Sequence, residues 1–115
     1  MNTTKITVNG EDVTLKFGIW TLARLVDRGY KMADLAKTLN DNPFDFVPTL
    51  MYLGACNAEG MDLNAHKESI FWDFIDEVGF GSKEIEKVLT CFTNSISRDV
   101  RTEKKSKTKV VEMKK

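Results

Sequence analysis

The chain has 115 residues, 42% of them apolar and 30% charged, which is one domain's worth of sequence with enough apolar material for a single core. No stretch approaches the roughly 18–20 apolar residues that a membrane span needs, and the opening MNTTKITVNG lacks the basic-then-apolar order of a secretory signal. The formal charge of zero conceals a division: residues 1–97 carry 9 Lys/Arg against 14 Asp/Glu, net −5, and residues 98–115 carry 8 against 3, net +5.

In chain order, KITV and DVTLKF alternate with period two. Ile6, Val8, Val13, Leu15 and Phe17 can share one face while Lys5, Thr7, Asp12, Thr14 and Lys16 take the other, so two half-buried strands are predicted. Asn9-Gly10 suits the positive φ angles of a tight turn. A two-residue turn would set Ile6 opposite Val13, and a four-residue loop would set Ile6 opposite Leu15. Both registers keep the apolar face intact, and the pattern does not choose between them. GIWTLARLVDRG then places Ile19, Leu22, Ala23 and Val26 on one helical stripe ending at Gly29. MADLAKTL reads as a short second helix with Met32, Leu35, Ala36 and Leu39 inward.

NPFDFVPTLMYLGACNAEG opens with Asn42 as a cap candidate and Pro43 at the first helical position. Pro48 must either kink this helix or start it, because it has no N–H to donate. Beyond Pro48 the sequence is apolar on nearly every side, which predicts a central buried helix. AHKESIFWDFIDEVG presents Ile70, Phe71, Phe74, Ile75 and Val78 before Gly79, and SKEIEKVLTCFTNSISRDV presents Ile85, Val88, Leu89, Phe92, Ile96 and Val100 after a Ser82 cap. The expected fold class is α+β, mostly α, with an N-terminal hairpin packed on a cluster of about five helices. A single folded domain is expected over residues 1–101, with the hairpin at 4–17 and helices at about 19–28, 32–40, 43–58, 66–78 and 82–101. A basic, disordered tail is expected over 102–115, from its low hydrophobicity and repelling charges.

Groupings suited to catalysis are sparse. His66 is the one histidine, and it falls where a helix starts, on a turn expected to be exposed, without the partners a Ser-His-Asp arrangement needs. DLNAHKE imitates the start of a calcium loop, but Lys67 stands where that loop requires glycine and Asp73 where it requires glutamate; helix capping by Asp62 or Asn64 explains the polar residues better. GFGS, residues 79–82, has no preceding strand and reads as a helix-to-helix turn rather than a phosphate cradle. Asp73, Asp76 and Glu77 read as the wet face of their helix. Cys56 and Cys91 form no CxxC pair and sit in apolar, helical sequence, so they are expected as small buried hydrophobes in a reducing cytoplasm rather than as a disulfide. No catalytic, cofactor or metal site is assigned, and no cofactor is expected.

The tryptophans stand out instead. At about 100° per residue, Trp20 and Trp72 each lie roughly 130° from the centre of their helix's apolar stripe. Large aromatics off the core face either mark a partner surface or are covered by a neighbouring element, and the pattern leaves both open. Tyr52 and Phe80 join them as weaker candidates.

The opening ITVNGEDVTLKFGIWTLARLVDRG resembles the start of the tail assembly chaperones of long-tailed bacteriophages, which share a short NG hairpin and a lysine-phenylalanine-glycine step into the first helix. NPFDFVPTLMYLGACNAEG is similar to that family's proline-then-apolar helix ending in small residues, and FWDFIDEVG to its acidic helix with a terminal glycine. The resemblance spans about residues 5–101 and rests on the order and spacing of the motifs; the basic tail matches none of them.

The resemblance implies a mostly helical protein of the bacterial host cytoplasm, absent from the mature virion. It would be an ATP-independent, non-catalytic chaperone that binds the tape-measure protein, keeps it soluble and helps recruit tail-tube subunits. Homo-oligomeric association along an extended client would add avidity. In this family a longer form often arises by ribosomal frameshifting, for which Lys104-Lys105 or Lys114-Lys115 are the places an A-rich run would encode. Trp20, Tyr52, Trp72 and Phe80 are the expected partner contacts. The alternative, of a different class, is a small nucleic-acid-binding regulator that uses the basic tail as an electrostatic arm.

Overall fold

A short hairpin leads into the molecule. β1 (Thr3–Val8) and β2 (Glu11–Lys16) pair antiparallel, with Val8 opposite Glu11, Ile6 opposite Val13 and Thr3 opposite Lys16. The two-residue turn is therefore the one adopted. Asn9 at φ 52° and Gly10 at φ 83° supply the positive pair that such a turn demands. The computed structural model describes residues 2–101, with side chains through Ile96. The expectation of a disordered tail over 102–115 lies outside the described residues.

Five α-helices follow among the described residues: α1 (Ile19–Asp27), α2 (Leu35–Asp41), α3 (Pro43–Ala58), α4 (Glu68–Val78) and α5 (Lys83–Arg101), with a 3-10 turn at Met32–Asp34 leading into α2. The class is α+β, mostly α. α3 carries Pro43 at its first position and runs through Pro48, so the missing N–H leaves the Phe44 carbonyl without its i+4 donor near the helix start. Asn42 precedes α3 without a side-chain capping bond. Ser82 does cap α5, its Oγ accepting from the Ile85 N–H at 3.4 Å. Asp62 Oδ1 instead takes the Asn64 N–H at 2.9 Å, closing a turn in the connection six residues ahead of α4 rather than capping the helix.

The core is built around α3. Every residue from Phe46 to Asn57 is buried, so α3 is enclosed on all sides over this stretch. β2 lies on α3 and β1 against α5, with Ile6, Val8, Leu15 and Phe17 all buried and Val13 partly so. Gly54 is what lets the hairpin come so close. A Cβ there would stand 2.6 Å from Phe17 Cε1, inside any tolerable contact, and the ring it would strike is itself fully buried. Phe92 of α5 meets Phe17 edge-on at 5.6 Å between centroids and Phe46 at 5.8 Å, so one aromatic column joins hairpin, α3 and α5.

Two helix faces differ from the period-based expectation. On α1, Thr21, Leu22 and Leu25 are buried while Ile19 and Val26 are 66% and 49% exposed, so the inward face is turned by about 100° from the Ile19/Leu22/Ala23/Val26 stripe. The cause is polar. The Thr21 hydroxyl proton is shared between the Lys16 carbonyl and Asn57 Oδ1, each 2.9 Å away, and Asn57 Oδ1 also accepts from the Gly18 N–H at 3.4 Å. This latch makes Thr21 a core residue and orients α1. On α2, Leu35 is buried and Leu39 partly, but Met32 and Ala36 are exposed, because Met32 belongs to the 3-10 turn, whose tighter winding breaks the stripe.

Replacing Gly54 with alanine is expected to cost about 1–3 kcal/mol, the range for forcing atoms into a close-packed core. The check is a urea unfolding midpoint that falls with an unchanged slope.

Candidate partner-binding surface

The four residues predicted as partner contacts separate in space and in exposure. Trp72, on the outer face of α4, is 40% exposed. Its indole N–H points to Glu68 Oε2 at 3.4 Å, and Glu68 is held in turn by Arg28 Nη1 at 2.9 Å and by the Thr49 hydroxyl at 3.3 Å. Glu68 thus links the end of α1, α3 and the start of α4, and Trp72 is presented from a fixed base. Asp73, Asp76 and Glu77 are exposed beside it, as the helical period requires.

Trp20 is partly buried, packed on the core and covered by the Arg24 guanidinium at 5.4 Å from the ring centroid. Arg24 Nε stands 2.9 Å from Asp27 Oδ2, a charge contact outside hydrogen-bond geometry. Trp20 is therefore only partly open to a partner.

Tyr52 corrects the expectation outright: only 8% exposed, it belongs to the core. Its hydroxyl donates to the Leu63 carbonyl, and Arg28 lies 5.5 Å from its ring centroid. It sits in the Phe46–Asn57 stretch of α3, where every side chain is enclosed. Burial raises its phenol above the ordinary value, with the neighbouring Cys56 adding to the shift.

Phe80, in the turn between α4 and α5, is partly buried and meets Phe44 at 5.1 Å between centroids, their planes tilted by 59°. Phe44 was not among the predicted contacts, yet at 69% it is the most exposed large apolar side chain described. Its exposure follows from its place in the first turn of α3, ahead of the stretch from Phe46 that enters the core. From Phe80 a groove of about 510 Å³ runs along α5, lined by Phe80, Ile85, Glu86, Leu89, Thr93 and Asn94 among others. Its size suits a small ligand or a few side chains. A second apolar strip lies on α1, where Ile19, Ala23 and Val26 recur at i, i+4 and i+7, with Ile19 and Val26 exposed.

The remaining chemistry is quiet. His66 is partly buried rather than exposed, its ring 5.9 Å from that of Phe71 and its Nε2 shielded without a hydrogen-bond partner. The connection between α3 and α4 folds back onto the core, which the polar string DLNAHKE did not signal. Cys56 is buried and Cys91 partly so, and they form no disulfide. Burial raises both thiols above the ordinary 9.0, which keeps the nucleophilic thiolate scarce at neutral pH. No three His, Cys, Asp or Glu side chains gather to hold a metal ion, and no helix is long and apolar enough to cross a membrane, both among the described residues.

The raised groups set an alkaline limit. The unfolded chain releases the Cys56 and Tyr52 protons first, so their contribution to stability is complete below the ordinary values of 9.0 and 10.0 and is lost as pH climbs through the higher folded-state values. Melting temperatures measured across pH 7–11 should be level at first and then fall above about 9; for Cys56→Ala, the part of the fall that begins lowest should be smaller, with the share of Cys91 remaining. Comparison with protein-family models, curated proteins and solved structures returns no match to this chain, so its functional reading stands on residues and geometry.

Proposed function

We propose that this protein is a tail assembly chaperone that binds the phage tape-measure protein, keeps it soluble and helps bring tail-tube subunits to it in the host cytoplasm, without catalysis or ATP. The observation that carries the reading is the set of large apolar side chains held at the surface by a rigid frame. Phe44 leans on Phe80, Trp72 is pinned through Glu68, and Ile19 and Val26 are turned outward by the Thr21–Asn57 latch. Surface of this kind suits reversible capture of another chain's apolar segments.

A client helix is the natural occupant. Apolar positions at i, i+4 and i+7 on α1 match the period of a helical partner, and the groove that runs from Phe80 along α5 accepts side chains from such a segment. Each contact is small, so useful affinity depends on several acting together or on several copies lining one client. The net charge of residues 1–101, 11 Lys/Arg against 15 Asp/Glu or −4, works against nucleic acid as the primary partner of this region.

Phe44→Ser combined with Trp72→Ser tests the surface while sparing the core. Unfolding free energy should change by no more than about 0.5 kcal/mol, the usual range for surface positions. Retention of the tape-measure protein in soluble co-expression should drop by roughly tenfold or more, the loss expected when aromatic anchors worth about 1.4 kcal/mol in total are removed. Undiminished retention by the stable double variant would reject these contacts.

A further inference from the structure

Among the described residues the sheet has two strands, so each keeps one open edge. The ladder fixes which backbone groups lie there. Phe17 N–H donates to the Asn2 carbonyl at 2.8 Å, and Thr4 stands opposite Leu15, Ile6 opposite Val13 and Val8 opposite Glu11. Antiparallel pairs alternate between bonded and unbonded, so these pairs make the inward bonds. Asp12, Thr14 and Lys16 therefore turn their N–H and C=O groups away from β1. The Lys16 carbonyl is taken by the Thr21 hydroxyl at 2.9 Å. The Asp12 and Thr14 groups meet no other backbone among the described residues.

Charge orders the side chains along the same edge. Asp12 and Lys16 flank Thr14 at equal spacing, both are exposed, and neither joins an ion pair among the described residues. The Asp12 carboxylate accepts from the neutral Thr7 hydroxyl at 3.2 Å, a contact that does not balance its charge. A second copy of this edge, turned about a two-fold axis beside Thr14, sets Asp12 against Lys16 and Lys16 against Asp12. We propose that two copies of this chain pair through β2 in that register and form one continuous sheet in the order β1-β2-β2-β1.

The edge of β1 offers no such match. Its outward residues are Thr3, Lys5 and Thr7, and the same operation centred on Lys5 sets lysine against lysine. Lys83 and Lys87 of α5 line the adjoining grooves and add to the repulsion. On β2 the two Thr14 residues exchange both N–H···O bonds, and each Lys16 N–H reaches an Asp12 carbonyl while the Lys16 carbonyl stays with Thr21. Open edges are templates for another strand, and charged side chains usually block them. Here the charges complement themselves about Thr14 and select one register. The strands are only six residues long, so the pairing is weak and concentration-dependent. Copies side by side on one client gain avidity; that use rests on the function proposed above, and the strand pairing does not.

The test uses the full chain without client, so its failure is separable from failure of the chaperone reading. Sedimentation of the native chain from about 10 μM to about 1 mM, the range of weak dissociation constants, should show monomers converting to dimers. Asp12→Lys alone and Lys16→Asp alone each place like charges at both symmetric contacts, and each should weaken the dimer by roughly tenfold or more. An equimolar mixture of the two variants should restore dimers, as should Asp12→Lys/Lys16→Asp in one chain. Melting temperatures should stay near native, because both side chains are exposed. The double exchange keeps the native net charge and decides the matter even where a single variant folds poorly. A native chain that stays monomeric throughout would overturn the proposal. So would dimers that neither single variant weakens, and so would a loss that persists in the double exchange.

Discussion

The packing of this fold depends on the place where the Phe17 ring lies against the backbone of α3 at Gly54. A side chain of any size at residue 54 would push the ring away, and with it the hairpin whose second strand ends there. The same ring meets Phe92, and Phe92 meets Phe46, so a displacement at Gly54 would pass along the aromatic column to α5. The hairpin could not stand alone in water, since two strands bury too little. The absence of a side chain on the central helix supplies its platform.

From that contact the chain's polar accounting sets what faces outward. Phe17 and Gly18 lead directly into α1, and the groups at this junction must be satisfied where water is scarce. Asn57, near the end of α3, takes the Gly18 N–H and shares the Thr21 hydroxyl with the Lys16 carbonyl. Satisfying these groups rotates α1 so that Leu25 goes inward and Ile19 and Val26 go out. An exposed apolar strip is thus the by-product of a buried hydrogen-bond network. The cost of leaving that network unmade, on the order of 1–3 kcal/mol per buried group, exceeds what a partly covered valine would gain by turning inward.

A similar economy holds at α4. Arg28 and Glu68 are both partly exposed, so their pairing contributes little to stability by itself. Its value is directional, because one carboxylate joins three helices and restrains the indole of Trp72. An ordered aromatic loses less entropy on binding than a mobile one. The surface therefore combines exposure with fixed position, which is the combination that weak, repeated contacts need.

Hairpin, helix count and the boundaries of α3 were legible in the sequence because each follows from local chemistry. Alternation with Asn9-Gly10 makes a hairpin, Pro43 opens a helix and Gly79 closes one. The strand register was not legible, since both turns preserved the apolar face, and only the φ angles of Asn9 and Gly10 distinguish them. Among the predicted contacts, Trp72 was readable because its own helix has a clear buried side from which the period points away. Tyr52 was not, because α3 is apolar all round and its sequence carries no inside or outside. Phe44 was not legible for the same reason, since only the point at which α3 enters the core, at Phe46, leaves it outside. The sequence by itself determined which segments become strands and helices, through interactions only a few residues long. The tertiary structure alone decided which faces stay uncovered, because that depends on Gly54 admitting Phe17 and on Asn57 capturing Thr21, contacts made across 36 or more residues of chain.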